Sequence, residues 1–355
     1  MRREVHKFGG ASVRDAEAVR NVGRIVEGLC AKGVQPIVVV SAMAKTTNAL
    51  EQVWKGLPEG GPVEARCAEV LEFHADVVRG LSLSSDLLQN DVAHFLSAAE
   101  ALNGRAPEDA KGYDALVGFG ECMSTRIVHA HLMQLGLPAH WWSAWKLIQT
   151  DASHRTAQVA LPATGAAVRE ALSGLGEGLA VTQGFVGGTS DGTPTTLGRE
   201  GSDFSGALFA EAGAAERLVV WKDVEGVMTG DPRRWPLAKK IDKLDHGTAE
   251  RMSLAGAGIL HPSTMAPLRR AGIPLEVRSF QQPEGLGTVI EECPAPADLP
   301  LLWAFGMDAS GAQEVRCLTD QPTEAVAEWN AAFPNRLASS AVSDPNLQGC
   351  VRLVF

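Results

Sequence analysis

The sequence predicts an α/β protein: a three-layer αβα sandwich built on a mainly parallel central sheet, with a small α+β module after it. Short apolar runs of strand length alternate with longer helical stretches, the pattern of a sheet covered by helices on both faces. Glycine turns stand directly after several of those runs, as at Gly9-Gly10 and Gly187-Gly188, where strands hand over to helices. A proline-rich stretch at residues 292–298 then separates the long first part from a short tail.

The first strand falls at residues 5–8, before the Gly9-Gly10 turn and a helix over about 15–29. A second strand at 36–40 ends at Ser41-Ala42. Residues 46–102 read as helical, with Trp54, Val70, Phe73, Val77 and Leu81 near 3.6-residue spacing; the expectation is a helical insertion over one edge of the sheet. His74 and His94 lie inside it without acidic or cysteine partners at metal spacing, so they read as surface or satisfied core histidines. Another helix starts near Glu121, a short strand fits 139–143, and a buried strand runs over 179–185. The turn-rich residues 189–194 lead to Leu197-Gly198-Arg199, a helix at 202–212 and a strand at 217–222. A helix at 264–271 and a strand at 274–280 complete the core. The tail reads strand, helix (323–332), strand. The expected domains are therefore residues 1–291, with its nucleotide half at about 180–291, a linker at 292–300, and a module at 301–355.

The chain has 355 residues, 45% hydrophobic and 21% charged, with a net charge of −10. That composition belongs to a globular protein, and the charge argues against nucleic acid or an anionic membrane as partner. No apolar run approaches the roughly 20 residues that span a bilayer. The N-terminus passes straight into a glycine turn, unlike a signal peptide. Six cysteines without C-x-x-C pairs read as reduced, mostly buried thiols, and a cytoplasmic location is expected.

Glycine-bearing turns at 7–12, 184–188 and 198–203 all follow predicted strands. Glycine there lets backbone approach a ligand, and the next helix N-terminus offers unpaired N–H groups to an anion. None is a P-loop or a G-x-G-x-x-G fingerprint. A phosphate site without either needs another cation. Lys7, beside Gly9 and Gly10, is the candidate. Glu121 and Asp203, near helix N-termini, could instead simply favour the helix dipoles; Arg199, in a glycine-rich turn, has a weaker explanation of that kind, because surface arginines usually decorate helices rather than strand-end turns.

Lys7-Phe8-Gly9-Gly10-Ala11-Ser12-Val13 resembles the signature that opens aspartokinases. Further blocks are similar to that family and in its order: 40–43 with 47–50, 120–125, 182–185, 195–203, 221–227, 231–233 and 261–262. The resemblance implies the amino-acid kinase (carbamate kinase-like) fold and an aspartate kinase. Such an enzyme moves a phosphoryl group from ATP, carrying Mg²⁺ on its phosphates, to the side-chain carboxylate of L-aspartate. It begins the aspartate-derived amino-acid pathway, and a homodimer is the family habit. Position by position, Arg199 holds the α-carboxylate and Glu121 the α-ammonium, with hydrogen bonds from Ser41, Thr47 and Ser202. Lys7 contacts the transferring phosphate and Asp203 organises Lys7. Gly9, Gly10 and Gly201 make room for phosphates; Lys222, Asp223, Met228, Asp231 and Arg233 form the nucleotide edge. No metal ligand belongs to the protein itself.

Two departures are visible. Many aspartokinases carry Lys where this chain has Gly258, with Lys222 or Arg233 available to compensate. The tail is also too short for paired ACT domains and fits at most one reduced ACT-like unit, so feedback by lysine or threonine is not expected. Two other readings stay open: a kinase for another amino acid or carboxylate on the same fold, and a silent ligand-binding regulatory homologue.

Overall fold

The computed structural model describes residues 2–105, 109–198, 201–257 and 260–293, and in the tail 302–307, 313–319, 321–336, 338, 340–344, 347–348 and 350–354. It divides into two compact units, Met1–Asp223 and Val224–Phe355.

In the first unit β1 (Arg2–Phe8) leads through a 3-10 turn into α1 (Ala16–Ala31), whose cap Asp15 accepts a hydrogen bond from the Ala18 N–H at 2.8 Å. Then come β2 (Val34–Val40), α2 (Thr46–Gly56), α3 (Val63–Gly80), α4 (Gln89–Leu102), α5 (Ala110–Val117) and α6 (Phe119–Gln134). They are followed by β3 (Ala139–Trp142), α7 (Ala144–Leu147), α8 (Leu161–Ser173) and β4 (Leu179–Gln183). A hairpin of β5 (Val186–Gly188) and β6 (Pro194–Thr196), α9 (Gly201–Ala212) and β7 (Leu218–Lys222) close the unit. Its strands lie in the order β3-β4-β2-β1-β7, every pair parallel. β2 is buried at all seven positions, as a central strand covered on both faces must be.

The faces can be told apart by register. Lys7 pairs with Val39 and Val5 with Ile37, so Lys7 and Ile37 share one face. On it α8 packs beside α9. A Cβ on Gly206 of α9 would stand 3.6 Å from the Cβ of Lys7, which is how closely that helix lies on β1. α1 and α6 form the layer on the other face, where the Gln183 amide donates to Thr125 of α6 at 2.8 Å. The α3–α4 pair of the predicted insertion packs on α1, α5 and α6. It thickens a helical layer instead of covering the sheet edge, because its apolar stripe (Cys67, Val70, Val77, Phe95) finds apolar helix faces to bury against. His74 is a core histidine, with Nδ1 2.7 Å from the Val70 carbonyl. The turn-rich 189–194 segment is the loop of the β5–β6 hairpin.

The second unit contains β8 (Lys243–Asp245), α10 (His246–Leu254), α11 (Met265–Ala271), β9 (Leu275–Ser279) and β10 (Thr288–Glu291). β10 pairs parallel with β8 and antiparallel with β9. The tail holds more than strand, helix, strand. β11 (Leu302–Met307), β12 (Gln313–Leu318), α12 (Pro322–Ala332), β13 (Ser340–Ser343) and β14 (Val351–Val354) form an antiparallel sheet ordered β11-β12-β14-β13. β13 escapes a pattern search because it is short and almost wholly exposed. Trp235, from a turn before β8, is 1% exposed and joins Trp303 and Trp329 in the apolar core of this module. The Trp303 N–H donates to the Thr229 carbonyl at 2.6 Å, pinning the same turn. Residues 294–300, most of the predicted linker, lie outside the described residues.

Candidate active site

At the carboxyl ends of β1, β2 and β4 the first unit opens a cavity of about 820 Å³. Gly10, Ser41, Thr47, Glu121, Gly201 and Ser202 all line it. Four elements deliver them: the turn after β1, the β2–α2 connection, and the N-terminal turns of α6 and α9.

Lys7 and Asp203 are both buried, with Lys7 Nζ 2.6 Å from Asp203 Oδ1. Lys222 Nζ, at the end of β7, stands 3.3 Å from Asp203 Oδ2. Burial pushes the Asp203 carboxyl up, but the ammonium groups of Lys7 and Lys222 outweigh it and hold it below the ordinary value. Two strand-end cations thus share the Asp203 carboxylate. Gly9 sits next to them: a Cβ there would be 3.7 Å from Lys7 Nζ.

Gly10 serves a different need from open space. Its Cβ would meet the carbonyl oxygens of Ala42 and Ala44 at 2.8 Å each, so glycine permits the first turn to lie directly on the β2–α2 connection. Gly201 is similarly enclosed, with Leu197 Cβ at 3.0 Å from its would-be Cβ. Gly10 fits backbone to backbone, whereas Gly201 fits against the Leu197 and Phe185 side chains.

Glu121 is 3% exposed, and its Oε1 accepts from the Ala42 N–H at 3.1 Å. Oε2 has no hydrogen-bond partner among the described residues, an expensive state for a buried acceptor. Burial pushes the carboxyl up to about 8, against the Ala42 N–H and the charge of Lys7. A buried, half-satisfied carboxyl in a cavity wall is complementary to an ammonium group. Ser41 Oγ donates to Ser202 Oγ at 2.9 Å, and the Ser41 carbonyl accepts from Ser124 at 2.7 Å.

Arg199 and Gly258 lie outside the described residues. Asp223 is exposed at the end of β7. In the second unit Asp231 accepts from the backbone N–H and the Nε of Arg233, both at 3.0 Å. The pair therefore shapes a turn, with Arg233 Nε–Asp231 Oδ1 as a surface ion pair. Met228 bridges Lys240 two residues before Gly230 in the same segment.

Sequence reasoning missed one wall of the cavity. Glu51, Tyr113, Arg155, Thr156 and Phe185 line it too. Tyr113, the chain's only tyrosine, donates to Glu51 at 2.6 Å, and the Arg155 guanidinium lies 4.3 Å from its ring centre. The wall joins residues from α2, α5 and the loop before α8, and no local motif links them.

A buried strand-end lysine held by a helix-borne aspartate has the chemistry to meet an anion, and the buried, half-satisfied carboxyl in the cavity wall has the chemistry to meet an ammonium. The chain belongs to the amino acid kinase family, whose model matches residues 2–279. Within that family its relatives are aspartokinases. Lysine-sensitive aspartokinase 3 of Escherichia coli K12 is 34% identical over 313 residues, 85% of this chain and 67% of that one. Chloroplastic aspartokinase 2 of Arabidopsis thaliana is 32% identical, over 81% of this chain and 54% of that one. The crystal structure of E. coli aspartokinase III with aspartate and ADP (R-state) superposes with a TM-score of 0.77 at 30% identity, over 99% of this chain and 78% of that chain. This chain thus spans about two thirds of the E. coli relative and about half of the chloroplast one. No helix among the described residues is long and apolar enough to cross a membrane.

Proposed function

We propose that the protein is an aspartate kinase, transferring the γ-phosphoryl group of ATP to the side-chain carboxylate of L-aspartate to give 4-phospho-L-aspartate and ADP. The observation that carries this reading is Glu121, buried in the cavity wall with Oε2 unpartnered among the described residues, together with the Lys7–Asp203–Lys222 cluster at the strand ends, whose Lys7 charge reaches Glu121. The first is suited to an α-ammonium and the second to phosphate.

The acceptor carboxylate is ionised at neutral pH and needs no general base. Catalysis is then positioning and charge neutralisation. Glu121 orients the substrate through its ammonium, with Ser41, Thr47 and Ser202 beside it and Arg199 taking the α-carboxylate. Lys7 meets the transferring phosphoryl group, held in place by Asp203. Mg²⁺, entering with the nucleotide, neutralises charge between its phosphates. Lys222 and Asp223 serve the nucleotide, with Met228, Asp231 and Arg233 as the further edge. The tail is read as a single ACT-like module and the protein as a homodimer, the commonest oligomer.

The test is steady-state ADP release from MgATP with L-aspartate, L-glutamate or no acceptor. Turnover that requires aspartate supports the reading. Equal or greater turnover with glutamate reassigns the substrate, and none with either removes the kinase assignment.

A further inference from the structure

Five non-glycine residues of the described chain have positive φ: Ala44, Ser82, Arg155, Phe185 and Ala214. Three of them, Ala44, Arg155 and Phe185, line the same cavity. Strain that a fold maintains at one place points to function there. Arg155 and Phe185 share the largest value, φ 70°, and a bulky side chain gains nothing from that backbone region.

The strain is held in place. Asp114 of α5 is 0% exposed, and its carboxylate accepts from the Arg155 N–H at 2.9 Å, from Thr196 Oγ1 at 2.6 Å and lies 2.9 Å from His154 Nδ1. This buried clamp fixes the 154–156 turn against β6. The Arg155 guanidinium is then laid over Tyr113, 4.3 Å from the ring centre, and 5.8 Å from that of Trp54. Trp54 meets Tyr113 edge-on at 5.2 Å, so the platform is itself braced. Among the described residues the guanidinium makes no ion pair and no hydrogen bond, while the face of the planar fork is occupied and its edge is left for a ligand. The Arg155 carbonyl would stand 3.5 Å from a Cβ on Gly198, the residue that precedes Arg199 in the sequence.

We infer that Arg155 is a second substrate-binding arginine, recognising the α-carboxylate of the acidic amino acid from the Tyr113 side of the cavity. The inference rests on the amino-acid kinase reading above and names a specificity residue within it. A charge-assisted hydrogen bond to a carboxylate corresponds to about a ten- to hundredfold change in affinity.

Arg155→Gly and Arg155→Gln are the variants, with L-aspartate and its α-carboxamide analogue (L-isoasparagine) as acceptors. Glycine accepts φ 70° without strain, so Arg155→Gly keeps or raises Tm. Both variants raise KM for L-aspartate about tenfold or more and leave KM for ATP within about twofold. The preference of the parent for L-aspartate over the carboxamide shrinks by the same factor, a change that a merely structural arginine would not produce. An unchanged aspartate KM in Arg155→Gly overturns the inference, as does a raised KM with the preference intact. Absence of aspartate-dependent turnover in the parent overturns the underlying reading and this inference with it.

Discussion

Lys7 and Asp203 meet at 2.6 Å inside the first unit, both almost wholly buried, with Lys222 3.3 Å from the other carboxylate oxygen. The arrangement follows from register: Lys7 faces α9, and Asp203 sits in the first turn of that helix. Removing the carboxylate leaves two ammonium groups facing each other. Asp203→Ala therefore loses about 10²–10³-fold in kcat, as does removal of a positioned charge elsewhere, and is destabilised by about 3–5 kcal/mol, the usual cost of breaking a buried pair. Steady-state kinetics and chemical denaturation check the two halves.

The same carboxylate sets a pH dependence. Its pKa in the folded protein lies below the ordinary 3.8, so it adds stability at neutral pH that is lost as pH falls through the folded value. Asp203→Asn consequently shows a shallower loss of Tm on acidification than the parent. Parallel Tm–pH curves for parent and variant would remove Asp203 from the acid transition.

Glu121 behaves in the opposite sense. Its carboxyl is pushed up to about 8, above the ordinary 4.5, so the folded protein holds a proton there that the unfolded chain has released. Stability falls as pH rises between those values, and Glu121→Gln removes that slope. Binding an ammonium calls for the ionised form, so KM for L-aspartate falls as pH rises towards about 8. Glu121→Gln abolishes this pH dependence and raises KM about tenfold or more by deleting a charge-assisted contact. A pH-independent KM in the parent would argue against Glu121 as the ammonium site.

Gly10→Ala places a methyl group 2.8 Å from two backbone oxygens, which cannot give way as a side-chain tip could. The turn after β1 must shift, and Lys7 lies three residues before it. The expected result is loss of most activity together with a lower Tm.

Trp235→Ala opens a large cavity among Trp303, Trp329 and Phe333 and costs about 3–5 kcal/mol. The turn that carries Asp231 and Arg233 is the one that Trp235 anchors. The variant therefore unfolds at lower denaturant, while Trp235→Phe retains much of the loss.

Much of the cavity was legible because its signals are local. A lysine, two glycines and a strand end within four residues announce the first turn, and Gly201-Ser202-Asp203 opens a helix in the same way. Glu121 could be placed at the start of α6, but only the fold shows that Oε2 is buried without a partner. Arg155 was not legible, because its conformation depends on Asp114, 41 residues away in sequence. Nor could the C-terminal sheet be counted from pattern, since exposed β13 carries no apolar alternation. Trp235 looks like a loop residue until the core that receives it is formed.

The most direct test of the central claim is to trap the product. MgATP, L-aspartate and hydroxylamine are incubated with the parent protein and with Lys7→Ala, and aspartyl β-hydroxamate and ADP are quantified together. The account predicts equal amounts of both from the parent and neither above background from Lys7→Ala. ADP without hydroxamate, or hydroxamate formed undiminished by Lys7→Ala, would contradict it.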